Sequence, residues 1–204
     1  MTALGYIQAG GESTRFGGDK ALSVIGGTTT LSRTVELVRS VCGEVWIVAA
    51  AGKYAGGPAP IVGDRWPGEG PLGGILTALL ETQRQAPHVA WNLIVSCDMV
   101  FLTREWLAFL CECAEKSSAR VLVPETRNGL EPLCACWKTS AAGEVQTAFD
   151  GGVRKVAQAM KRLSMEVLDE SAWKRFDTDG RLFWNMNTRA DYEEARRIIE
   201  ARKP

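Results

Sequence analysis

Along the chain, short apolar runs alternate with stretches in which apolar residues recur at helical spacing. Residues 3–9 form an apolar run of strand length that stops at Gly10-Gly11. Residues 45–51 form a second, nearly unbroken run of the kind found in strands covered on both faces. Between them Leu31, Val35, Val38 and Val41 fall on one helical face, behind Thr29 or Thr30 as a cap and ahead of Gly43 as a stop. The opening unit is therefore strand, helix, strand.

The alternation continues. A short strand is predicted at 61–62, a helix from 75 to about 84, and the most apolar strand at 89–97. A helix capped near Thr103 follows, with Trp106, Leu107, Leu110 and Cys111 on its apolar side. Strands at 121–124 and 133–137 flank a polar turn at Asn128-Gly129, and a helix spans about 140–149. After a break at Asp150-Gly151-Gly152, residues 153–163 read as a basic amphipathic helix. Its Val153, Val156, Ala157, Met160 and Leu163 are spaced for core contact, so the charges form its wet face. A short strand at 165–168, a loop containing Trp173 and the stretch 183–186 lead to a terminal helix. There Thr188 and Asp191 have capping-box spacing, and Tyr192, Ala195, Ile198 and Ile199 form the buried stripe.

This order predicts one domain over residues 1–204: an α/β three-layer sandwich with a mostly parallel central sheet. Ligands of such folds bind at the carboxyl ends of strands. Three polar loops leave those ends, at 10–20, 63–74 and 97–103, and one crevice is expected to collect them.

Composition narrows the chemistry. Apolar residues make up 46% and charged residues 24%, the values of an ordinary globular protein. Lys plus Arg equals Asp plus Glu at 24 each, so no global basic field favours nucleic acid or an anionic membrane. An anionic ligand must be held by local charge. The six cysteines include no Cys-x-x-Cys pair, and a chain this long needs no disulfide framework. Cys111 and Cys113 are two apart on a helix and do not face each other, and Cys134 and Cys136, which could share one face of a strand, lack further partners, so a zinc site is not expected. His88 is the single histidine, in a polar loop, which argues against a histidine-activated nucleophile. With no secretory leader pattern and no apolar run near the ~18 residues of a membrane span, the expected location is the cytoplasm.

The first loop carries four glycines, a hydroxyl pair, Arg15 and Lys20. Glycines let backbone N–H groups approach an anion, and the two cations supply the charge that phosphates require. The loop is not a Walker A motif, since Asp19 precedes the lysine and no hydroxyl follows it, and its glycines do not fit the dinucleotide spacing. Asp98 lies where the most apolar strand ends, a place suited to holding Mg2+ against nucleotide phosphates. The second loop offers Asp64 and the glycines of Gly70-Pro71-Leu72-Gly73-Gly74, where backbone could approach a flat base.

Several stretches resemble the molybdenum cofactor guanylyltransferase family in order and spacing: residues 9–22, Gly70-Pro71-Leu72-Gly73-Gly74, Ser96-Cys97-Asp98-Met99, Glu131-Pro132-Leu133 and Asn185-Met186-Asn187-Thr188. The resemblance covers nearly the whole chain and implies a Rossmann-like nucleotidyltransferase fold. It further implies that Ala9, Gly10 and Gly11 touch the nucleotide, that Arg15 and Lys20 neutralise the triphosphate and that Asp64 lies on the guanosine side. Asp98 would hold Mg2+, and Arg154, Asn185 and Asn187 would face the pterin. The implied substrates are GTP and molybdopterin or the molybdenum cofactor, with transient contact to cofactor-insertion proteins or acceptor molybdoenzymes. Gln8 stands where the family usually has leucine, and Ala49 and Ala50 where an asparagine is usual, both on the nucleoside side. The same chemistry would serve a cytidylyltransferase or a sugar-phosphate nucleotidyltransferase. A nucleotide sensor or cofactor carrier would share the binding without turnover.

Overall fold

The computed structural model describes residues 3–10 and 16–202. In chain order these form β1 (Ala3–Gln8), a 3-10 turn at Lys20–Leu22, the ribbon β2 (Val24–Ile25) and β3 (Thr28–Thr29), and α1 (Thr30–Arg39). Next come β4 (Glu44–Ala49), β5 (Ile61–Gly63), α2 (Pro71–Gln85), β6 (Trp91–Ser96) and α3 (Arg104–Lys116). The second half holds β7 (Val121–Thr126), β8 (Gly129–Leu130), β9 (Cys134–Lys138), α4 (Ala142–Asp150) and α5 (Val156–Met160). It ends with β10 (Met165–Leu168), α6 (Glu170–Trp173) and α7 (Arg189–Ala201).

The main sheet has the order β10-β7-β9-β6-β1-β4-β5, with β8 paired to the end of β7. β1 runs parallel to both neighbours, β4 and β6, and β4 runs parallel to β5. β9 is antiparallel to β6 and β7, while β10 is parallel to β7. All six residues of β1 and of β6 are buried, as expected of strands covered on both faces. On one face Val35, Val38, Leu107 and Leu110 bring α1 and α3 onto the sheet. On the other, Leu72, Ile75, Leu79, Val145 and Phe149 bring α2 and α4. α7 packs separately, its Tyr192, Ala195 and Ile199 meeting Phe16, Ile25 and Phe101. The mostly parallel, helix-flanked sheet is the predicted fold class.

α2 starts a full turn earlier than the predicted position 75. Gly70, at φ +83°, turns the chain and Pro71 occupies the first helical position, where its fixed φ suits the helix and its missing N–H costs nothing. Gly73 and Gly74 are thus helical and buried, not part of an open loop. A Cβ at Gly74 would sit 2.9 Å from the Gln8 side chain, whose amide donates to the Pro71 carbonyl at 3.1 Å. These glycines serve close helix–strand packing.

The basic helix predicted over 153–163 condenses to the five residues of α5. Val153 and Leu163 remain buried in the flanking turns, while Ala157 faces solvent and Ala159 points inward. The apolar spacing marked the inward positions of a turn–helix–turn, which mimics one longer helix. Trp173 closes the short helix α6, capped by Asp169, instead of lying in a loop. Val41 lies past the end of α1, whose last residue is Arg39 and whose C-cap is Ser40.

Candidate active site

The carboxyl end of β6 presents Asp98. The Ser96 hydroxyl donates to Asp98 Oδ1 at 2.7 Å, and the Asp98 carbonyl accepts from the Met186 N–H at 3.0 Å. The segment before α7 is thereby stitched alongside. Lys20 opens the 3-10 turn, whose first N–H groups are capped by Asp19: its Oδ1 accepts from Ala21 N at 3.0 Å. The Lys20 ammonium donates to Asn187 Oδ1 at 3.0 Å and stands 3.7 Å from Asp98 Oδ2. Both charged side chains retain nearly a fifth of their exposure, at 18% and 19%, so a ligand in the cleft can reach them.

Asn187 is itself fixed by the capping box of α7. The Asp191 carboxylate accepts from the N–H groups of Asn187 at 2.8 Å and Thr188 at 2.7 Å. Desolvation works against that carboxylate, but these N–H groups outweigh it and hold its pKa below the usual range.

β1 delivers the next part of the site. Its Gln8 carbonyl accepts from Cys97 N at 3.2 Å, joining the ends of β1 and β6, and Ala9 continues the strand through Val48. Gly10 is exposed, with open space where a Cβ would be. Gly11 and Arg15 lie outside the described residues. Past β5, the Asp64 carboxylate accepts from Trp66 N at 3.0 Å and from the Thr77 hydroxyl at 3.3 Å, fastening the second loop to α2.

The structure therefore brings Lys20, Asp98 and Asn187 into direct contact, with Ala9 and Gly10 at the adjacent strand end. Arg154 is placed elsewhere. It pairs with Glu69 of the second loop at 2.5 Å, donates to the Phe149 carbonyl at 2.7 Å and lies 4.0 Å over the Phe149 ring. Among the described residues no hydrogen bond or ion pair joins it to Asn185 or Asn187.

On the far side of Asn187 lies a cavity of about 560 Å³, lined by Glu131, Trp173, Trp184 and Asn185 among others. Burial raises the pKa of Glu131 above the usual 4.5, the Thr126 hydroxyl opposing it and the Asp98 charge adding to it. Burial likewise pushes the Cys97 thiol up to about 12, with Asp98 adding, so it stays a thiol near neutrality. His88 is exposed in the turn after α2, before β6 begins, and so at the sheet end opposite Asp98. Neither supplies a nucleophile to the cleft.

Among the described residues no cluster of three His, Cys, Asp or Glu side chains forms a ready-made metal cage. Mg2+ in nucleotide sites needs less, usually one or two carboxylates completed by phosphate oxygens and water. Asp98, partly exposed beside an ammonium that also suits phosphate, fits that demand.

Residues 5–164 match the sequence signature of the MobA-like NTP transferase domain. The chain belongs to that family. It is a nucleotidyltransferase, and its relatives include a molybdenum cofactor guanylyltransferase of Desulfosudis oleivorans, 31% identical over 97% of this chain and 96% of the relative. A probable molybdenum cofactor guanylyltransferase of Chloroflexus aggregans is 32% identical over 94% of this chain and 92% of its own. The molybdopterin-guanine dinucleotide biosynthesis protein A structure from Archaeoglobus fulgidus superposes with a TM-score of 0.81 at 26% identity, covering 96% of this chain and 97% of that one. The family signature ends before the segment bearing Asn185 and Asn187, which the relatives nevertheless span.

Sequence reasoning missed two members of this site. Asp19 reads as an interruption before the lysine, yet it caps the turn that presents Lys20. Tyr54 lies in a glycine- and proline-rich loop with no periodicity to single it out, yet its hydroxyl stands 2.8 and 2.9 Å from the Asp19 carboxylate oxygens.

Proposed function

We propose that this nucleotidyltransferase moves GMP from Mg-GTP to the terminal phosphate of molybdopterin, with release of pyrophosphate, as a molybdenum cofactor guanylyltransferase. The observation that carries the reading is the Lys20–Asp98–Asn187 junction, set between the end of β1 on one side and the 560 Å³ cavity on the other. A donor triphosphate on the glycine loop and an acceptor in the cavity would meet at that junction. The relatives named as molybdenum cofactor guanylyltransferases support guanine as the base and the cofactor as the acceptor.

The acceptor phosphate is already ionised near neutrality, so in-line attack on the α-phosphorus needs no strong base, in keeping with the lack of a nucleophile–base pair among the described cleft residues. Catalysis is then positioning and charge stabilisation. Lys20, held by Asn187, places its ammonium where charge builds on the triphosphate oxygens. Asp98, oriented by Ser96, would hold Mg2+, and the ion would supply charge neutralisation for the departing pyrophosphate. Ala9 and Gly10 offer backbone to the nucleotide, and Asp64 serves the nucleoside side. Asn185 and Asn187 line the acceptor side, with Trp173 and Trp184 offering flat apolar surface to a pterin ring. The work would take place in the cytoplasm, the product passing by transient contact to cofactor-insertion proteins or acceptor enzymes.

The test is pyrophosphate release by purified protein given molybdopterin, Mg2+ and each of GTP, CTP, ATP and UTP in turn. Release is expected with GTP, to depend on molybdopterin and to stop with EDTA. Release with CTP alone would make the protein a cytidylyltransferase, and binding without release a carrier.

A further inference from the structure

We infer that Tyr54 is a positioning residue that clasps the two ends of the phosphate loop and, through Asp19, sets where Lys20 stands. The inference rests on the reading of Lys20 as the group that meets the triphosphate. The Tyr54 hydroxyl is 3.0 Å from the Ala9 carbonyl oxygen, where the loop leaves β1, and 2.8 and 2.9 Å from the Asp19 oxygens, where it ends. One proton is shared among three acceptors that belong to both ends of one loop. Asp19 in turn caps the turn that begins at Lys20. A chain of contacts therefore runs from Tyr54 through Asp19 to Lys20, Asp98 and Asn187.

Three features say that this clasp is built. Tyr54 has φ +57°, the one non-glycine residue with positive φ among those described, and a bulky side chain holds that conformation only where its surroundings enforce it. The Gly57 N–H, bonded to the Tyr54 carbonyl at 2.8 Å, is one enforcing contact, and the ring's packing against the core is another. Lys53 adds a second tie, its ammonium 3.3 Å from Asp19 Oδ2. Among the described loop residues, Gly10, Gly17 and Gly18 have open space around the Cβ position, and Phe16 is anchored against Tyr192 on the far side. Burial and the Asp19 carboxylate both raise the Tyr54 pKa, so the phenol keeps its proton at any working pH.

The test compares wild type with Tyr54→Phe, which keeps the ring and removes the hydroxyl. In pyrophosphate release from Mg-GTP, kcat/KM is expected to fall about tenfold, the scale of one hydrogen bond to a charged group, with little change in the urea midpoint. In an Asp19→Ala background the same substitution is expected to add less loss than it causes alone, because the Tyr54–Asp19 tie is already gone and only the contact to the Ala9 carbonyl is left to lose. Hydrogen exchange of the apoprotein supplies a readout independent of turnover: amides of residues 19–23 are expected to exchange faster in Tyr54→Phe. Unchanged kcat/KM with unchanged exchange overturns the inference, as do fully additive losses in the double variant. Should Tyr54→Phe not fold, Asp19→Asn reads the same tie from its other end. If the wild type itself releases no pyrophosphate, the guanylyltransferase reading fails, and the exchange measurement still decides the clasp.

Discussion

Glu131 illustrates what single side chains contribute and cost in this cleft. It lines the acceptor cavity while burial, helped by Asp98, lifts its pKa above the usual value. The folded state therefore binds its proton more tightly than the unfolded chain does, and stability falls as pH rises from the unfolded pKa through the raised folded one. Glu131→Gln, neutral throughout, is expected to raise the thermal midpoint relative to wild type near pH 7, and the gap should close below about pH 4. Paired melting curves across that range check it; a constant gap would mean that the charge is not its source. At this scale Lys20, Asp98 and Asn187 were legible because each lies in a loop leaving a strand end or just before a capped helix. Asp19 and Tyr54 were not, since a hydrogen bond spanning 35 residues leaves no local pattern. Arg154 was legible as an exposed cation after a glycine pair, but the carboxylate that holds it, Glu69, belongs to a loop read only for its glycines.

Elements were read well where apolar runs and caps coincide, as at β1, α3 and the capping box of α7. Their boundaries slipped where a residue type has two meanings. Gly70-Pro71 reads as loop but opens α2, and the glycines after it serve packing against Gln8. The spacing over 153–163 reads as one helix, but Gly151-Gly152 and the turn after Met160 leave only five helical residues. Gly5 shows the same demand for close approach within the core. A Cβ there would run into Val38 of α1 and approach Val45 within 3.3 Å. Gly5→Ala is expected to destabilise the fold by about 1–3 kcal/mol, the cost of overpacking, and Val38→Ala added to it to restore part of the loss. Urea denaturation of the two single variants and the double measures this. Additive losses would show that α1 and β1 do not meet at that glycine.

For the whole molecule, the strand order explains why one cleft collects these loops. From β1 the chain winds to β4 and β5 on one side, then α2 carries it back across to β6 on the other. The two windings part between β1 and β6, and the crevice outside their carboxyl ends is where open α/β sheets take ligands. Ala9 and Asp98 flank that crevice, Lys20 crosses it, and the segment before α7 closes it through Met186 and Asn187. The sequence foretold the convergence of loops but not this strand order, which depends on pairings between distant runs. The central claim is that GMP crosses the junction from GTP to the pterin phosphate. It is tested most directly by following α-phosphate-labelled GTP into product with molybdopterin and Mg2+, in wild type, Lys20→Ala and Asp98→Ala. The account predicts label on the pterin with wild type, and a loss of about a hundredfold or more in either variant with the fold intact. Label that stays on free nucleotide, or transfer that survives both substitutions, would contradict it.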